Sequence, residues 1–126
     1  MDSSMTRKEF VRRFILMEIA DDYENVEHIR FMITRDCSRC GLIISETEII
    51  FGLSEVIMAG LAKAYRLSGT VPALAIQGVP SQQEFTDPYT HFWATEAGRG
   101  LVTADRDWWP FDDVGNLRAD WVSPKD

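Results

Sequence analysis

Leu53-Ser54-Glu55-Val56-Ile57-Met58-Ala59-Gly60-Leu61-Ala62-Lys63-Ala64-Tyr65-Arg66-Leu67 changes its hydrophobic period from helical to two-residue at a single glycine. Upstream, Ser45-Glu46-Thr47-Glu48 has the spacing of a capping box, in which a hydroxyl and a carboxylate three residues on satisfy the first free amides of a helix. Ile49, Ile50, Leu53, Val56 and Ile57 then fall on one helical face, and Gly60 marks the end. Beyond it Leu61, Lys63, Tyr65 and Leu67 alternate with Ala62, Ala64 and Arg66, the pattern of a strand with one half-buried face. A helix over 46–59 followed by a strand over 61–67 is therefore expected, and the strand needs a partner downstream.

The partner is read at 89–94, a segment rich in aromatic and β-favouring residues. Thr95 caps a further helical segment reaching about Ala104, weakened by Gly98 and Gly100. Between the strands, 68–88 carries Gly69, Pro72, Gly78, Pro80 and Pro88 and reads as a long connection, with an additional short strand over 73–77. Two helices precede this unit. Thr6-Arg7-Lys8-Glu9 repeats the capping-box spacing and opens a helix to about Ala20, with Phe10, Val11, Phe14, Ile15, Met17 and Ile19 inward and Lys8, Glu9, Arg12 and Arg13 outward. Asn25 caps a second, short helix with Val26, Ile29, Met32 and Ile33 on one face, and Gly41 suits its closing left-handed residue.

Three helices followed by a two-stranded hairpin is the order of winged helix-turn-helix domains. Leu53-x-x-Val56-Ile57-x-x-Gly60-Leu61-Ala62-x-x-Tyr65-x-Leu67 resembles a recognition helix turning into the first wing strand. Phe92-Trp93-Ala94-Thr95-Glu96-Ala97-Gly98 resembles the second wing strand entering a final helix. The resemblance covers about two thirds of the chain and departs from the usual pattern in its wing of about twenty residues. The expected fold class is α+β and mostly helical. A three-helix winged helix-turn-helix core with a two- or three-stranded β wing occupies 1–104, and an irregular aromatic and acidic tail at 105–126 packs on it.

Winged helices serve DNA binding and protein binding alike, so the resemblance implies a fold and leaves the partner open. By this resemblance the helix over 46–59 holds the recognition position, where a DNA reader carries Arg, Lys, Asn or Gln. Its outward set is Thr47, Phe51, Ser54, Glu55 and Met58, with Glu46 and Glu48 near the start. An acidic first turn repels phosphate at the point where a reader inserts. Phe51 and Met58 either complete a wider buried face, covered by a loop or by the carboxyl tail, or form an apolar contact face for another protein or a second subunit.

Thirteen basic against twenty acidic residues give a net charge of −7, a field that repels nucleic acid on average. DNA binding would require a local basic patch from Arg12 and Arg13 of the first helix with Arg35 and Arg39 of the second. Glu9, Glu18, Asp21, Asp22, Glu24, Glu27 and Asp36 are interleaved with these, as on a mixed-charge solvated surface. Apolar runs of a few residues fall far short of the roughly 18 to 20 needed to span a bilayer, and the amino terminus is not signal-like. A cytoplasmic protein without a membrane role is expected.

Cys37-Ser38-Arg39-Cys40 is the sole motif of recognisable chemical spacing. A structural zinc site needs four ligands and no second pair exists, while thioredoxin-like dithiols sit at a helix amino terminus and this pair lies near a carboxyl end. Cys37 and Cys40 are read as partly buried and unligated, and no cofactor is expected. Asp21-Asp22 and Asp112-Asp113 bear no sign of a cleft, and neither a phosphate loop nor a nucleophile turn is present. The reading is a non-catalytic protein-interaction or dimerisation module whose partner is a protein or a second copy. The alternative is a DNA-binding transcriptional regulator using Arg12, Arg13, Arg35 and Arg39.

The carboxyl segment holds Trp108, Trp109 and Trp121, three of the four tryptophans. Rings of this size are costly to leave in water, so the tail is expected to fold back over the domain, against Phe51 and Met58, the alternative being an acidic-aromatic arm that binds a partner.

Overall fold

A computed structural model describes residues 5–67, 73–104 and 106–125. Among these the architecture is α+β, with five helices and one three-stranded antiparallel sheet. The elements run α1 (Arg7–Glu18), α2 (Val26–Arg39), α3 (Glu46–Met58), β1 (Ala62–Arg66), β2 (Leu74–Ala75), α4 (Gln82–Thr86), β3 (Thr90–Ala94) and α5 (Glu96–Ala104). A helical core followed by a β hairpin with an extra edge strand is compatible with a winged-helix-like arrangement.

Each helix starts where a side chain replaces a missing intrahelical acceptor. Thr6, Asn25 and Ser45 accept from the amides of Glu9, His28 and Glu48 respectively, and Ser45 with Glu48 completes a reciprocal capping box. The second helix is not short: it is the longest of the five, at 14 residues. The apolar face expected to stop at Ile33 continues one turn further through Cys37, which is fully buried. Gly41 follows with φ +81°, the left-handed conformation that favours glycine after a helix end.

The sheet order is β2-β1-β3. β1 and β3 pair from Ala62 opposite Ala94 to Arg66 opposite Thr90, and the inward face comprises Ala62, Ala64, Phe92 and Ala94. The extra strand within 73–77 exists as Leu74–Ala75 on the edge of β1. The 68–88 connection is not wholly irregular, because Ser81 and Glu84 form a second capping box for α4. That short helix buries Phe85, whose ring stacks on Phe92 at 5.7 Å. Gly69 and Pro72 of the expected connection lie outside the described residues.

One apolar core joins the elements: Phe10, Phe14, Ile15 and Leu16 from α1, Ile29 and Ile33 from α2, Ile49, Leu53 and Val56 from α3, and Val102 from α5. The loop between α1 and α2 is tied to β3 by reciprocal amide bonds between Glu24 and Phe92 at 3.1 and 2.8 Å. Sheet and helices thus close around the inward side of α3, where Ile49, Leu53 and Val56 are fully buried.

The tail docks somewhere other than expected. Trp108 is buried against Phe10 and Phe14 of α1, with ring centroids 6.0 and 6.4 Å away. Trp109 sits 5.2 Å from Phe14, and Trp121 lies 6.2 Å from Phe10. Arg118 braces the segment by donating to the carbonyl oxygens of Asp107 and Trp109 at 2.8 and 2.9 Å. At its end the Lys125 amide donates to the carbonyl of Met5 at 2.9 Å. The aromatic rings of α1 complement the tryptophans, so Phe51 and Met58 are left uncovered by the tail.

Candidate interaction face

α3 packs against α1 so closely that a Cβ on Gly52 would lie 2.9 Å from Cδ1 of Ile15. This contact turns Ile49, Leu53 and Val56 inward, leaving positions 47, 51, 54 and 58, spaced by four, three and four, along the outward side. Phe51 is 52% exposed and Met58 is 71% exposed. The hydroxyl of Ser54, between them, donates to the carbonyl of Ile50 at 3.0 Å and makes no further polar demand. The stripe is therefore mainly apolar.

Glu55 departs from the expected outward set. It leans toward α1, where its carboxylate meets Arg12 at 3.3 Å. A second cross-link, Arg7 to Glu48 at 2.8 and 3.2 Å, joins the same two helices nearer their amino ends. The Arg7 guanidinium bonded to it, together with the cap amide of Ser45, holds the Glu48 carboxyl below its ordinary value against a smaller opposing effect of burial. Between these cross-links lies a groove of about 600 Å³, lined by Val11, Gly52 and Phe51 and edged by Arg7, Lys8, Glu48 and Glu55. The Lys8 ammonium stands 5.1 Å from the centre of the Phe51 ring, a cation–π contact at the groove's edge. On the other side of Phe51 a second depression of about 400 Å³ is formed with Val79, Pro80 and Phe85. Phe51 is a ridge between two hollows.

The basic residues considered for phosphate contact each have a partner. Arg12 and Arg13 share Glu9, at 2.6 and 2.9 Å. Burial raises the Glu9 carboxyl, but the bonds from Arg13 and Arg12 outweigh it and hold the group below its ordinary value. Arg35 pairs with Asp36 at 3.1 Å, and Arg39 stacks 4.4 Å from the Phe111 ring while donating to the carbonyl of Gly115. Arg30 is spanned to Glu46 at 3.2 Å. These side chains are divided between acids and the tail.

Cys37 and Cys40 are both free and both buried. Among the described residues no group of three or more His, Cys, Asp or Glu side chains is arranged to hold a metal ion, and no helix is long and apolar enough to cross a membrane.

Two features escaped sequence reasoning. The hollow against α4 depends on a helix whose only sequence sign was Ser81-x-x-Glu84, a capping-box spacing. The α1 side of the groove depends on ion pairs between residues 41 and 43 positions apart, for which there is no local signal. No protein-family model matches this chain, and a comparison with curated proteins likewise found no match.

Proposed function

We propose that this chain is a winged-helix-like protein-interaction module that uses the outward side of α3, in the position where related architectures read DNA, to hold another protein chain. The observation that carries this reading is the exposed Phe51 ridge, flanked by two hollows and followed along the same helix by Met58. Aromatic and Met side chains are favoured at the centres of protein interfaces, where a projecting ring fills a pocket and the polar rim excludes water. Here the rim is supplied by Lys8, which stands over the Phe51 ring, and by Arg7, Glu48 and Glu55, which are in ion pairs already formed within the chain.

A groove edged by the carboxylates of Glu48 and Glu55, with its one arginine, Arg7, paired to Glu48, does not favour a polyanion, whose binding draws on unpaired Lys and Arg. The interaction reading predicts that Phe51→Glu or Met58→Glu leaves the circular dichroism spectrum and melting temperature nearly unchanged, because both side chains are exposed. The same variants are expected to abolish self-association in light scattering, or capture of a partner that the unmodified chain retains. A folded Phe51→Glu variant with every association of the parent intact would overturn the proposal.

A further inference from the structure

Cys37 and Cys40 occupy the last turn of α2, with Cys37 inside the helix and Cys40 its closing residue. Residues three apart on an α-helix stand about 5 Å apart at Cα from the rise and radius of the helix, inside the roughly 4.4 to 6.8 Å that a disulfide spans. Side-chain direction agrees with backbone spacing. The Cys40 thiol donates to the carbonyl oxygen of Cys37 at 3.4 Å, which folds its sulfur back over the preceding turn.

We propose that Cys37 and Cys40 are a reversible redox site, a dithiol that a small-molecule disulfide converts into an intramolecular disulfide across the end of α2. The two sulfurs have different parts. Cys37 is fully buried, whereas Cys40 keeps 8% of its surface and is the one a reagent reaches first. The neighbouring Cys40 sulfur and then burial push the Cys37 thiol up, while the neighbouring Cys37 thiol holds Cys40 below its ordinary value.

The chemistry balances as two exchanges. The Cys40 thiolate attacks one sulfur of the small disulfide, forming a mixed disulfide and releasing one small thiolate, which takes up the proton Cys40 gave up. Cys37 then loses its proton and attacks the Cys40 sulfur, breaking the mixed bond and releasing the second small thiol. Two protein thiols are oxidised and one small disulfide is reduced to two thiols. Arg39 leaves this same turn to hold Phe111 and Gly115, so the site stands where α2 meets the tail.

The test is incubation of the folded, full-length protein with oxidised glutathione, followed by acid quenching and mass spectrometry. The expected product is a monomer two hydrogens lighter than the reduced chain. Trypsin, cutting after Arg39, then yields two peptides held together until dithiothreitol is added. Cys37→Ser is expected to stop at the first exchange and accumulate one glutathione on Cys40. Two thiols that remain unoxidised in the folded protein, or a product linked between two molecules, would overturn the proposal irrespective of how the serine variant folds.

Discussion

Gly98 of α5 lies directly against the carbonyl of Leu61, so close that a Cβ would be 2.1 Å from that oxygen. The contact joins the end of α3 to the start of α5, and Thr95 reinforces it by donating from its hydroxyl to the Gly60 carbonyl at 2.8 Å and from its amide to Leu61 at 2.9 Å. The glycine that weakens α5 by propensity is therefore required by its packing. Backbone cannot yield as a side-chain tip can, so Gly98→Ala is expected to lower stability by at least about 1 to 3 kcal/mol, the range for overpacking. Gly52→Ala meets side-chain atoms rather than backbone, Cδ1 of Ile15 at 2.9 Å and Cγ1 of Val11 at 3.4 Å, and is expected to cost less. Urea unfolding of both variants checks the order.

Trp108 is buried against Phe10 and Phe14, yet its indole nitrogen has no hydrogen-bond partner among the described residues. Its contribution is then packing alone. Trp108→Ala is expected to lose about 3 to 5 kcal/mol, as for other large aromatic deletions, whereas Trp108→Phe removes an unsatisfied donor and is expected to lose less than half as much. Thermal melts of the pair test this. Equal losses would show that the indole has a polar role.

How far the sequence could be read depended on whether a signal was local. Ser45 with Glu48 and the apolar steps through Val56 placed α3, and alternation after Gly60 placed β1, because caps and periodicity act over a few residues. α2 exceeds its expected length because Cys37, half of the Cys-x-x-Cys spacing, is also the next residue of the buried face. α4 was hidden by Gly78 and Pro80, which outweighed the Ser81 and Glu84 box. The destination of the tryptophans and the partners of Arg7 and Arg12 are tertiary facts: Phe10 and Phe51 look alike in sequence, and only packing shows that the tail covers the first.

Glu18 makes the acid limb of the stability profile informative. Burial first, then the nearby Asp36 carboxylate, raises its carboxyl above the ordinary glutamate value, with His28 and Arg35 only partly opposing. A raised folded-state pKa means that the native chain binds more protons than the unfolded chain, so this group's contribution falls as pH rises from the ordinary value through the raised one. Glu48 acts with the opposite sign, because its depressed carboxyl contributes stability that is lost as pH falls through its folded value. Glu18→Gln is expected to raise the melting temperature at neutral pH and to leave it unchanged at a pH below the ordinary value. Arg7→Ala is expected to weaken the acid-side loss due to Glu48. Melting temperatures across the acid range, measured for the parent and both variants, separate the two effects.

DNA binding is the reading that the side-chain partners of the basic residues disfavour, and it makes a distinct prediction. A duplex bound through Z phosphate contacts weakens with salt at a log–log slope of about −0.9Z. Arg12 and Arg13 would have to leave Glu9, and Arg35 would have to leave Asp36, before contributing to Z. Fluorescence anisotropy of a labelled duplex of mixed sequence is therefore expected to stay flat through micromolar protein even at low salt, for the parent and for an Arg12→Glu, Arg13→Glu double variant alike. Binding by the parent with a slope of about −2 or steeper, lost in the double variant and in Arg35→Glu, would show that these ion pairs open to phosphate. The outward side of α3 would then have to be read as a bystander to a basic surface on α1 and α2.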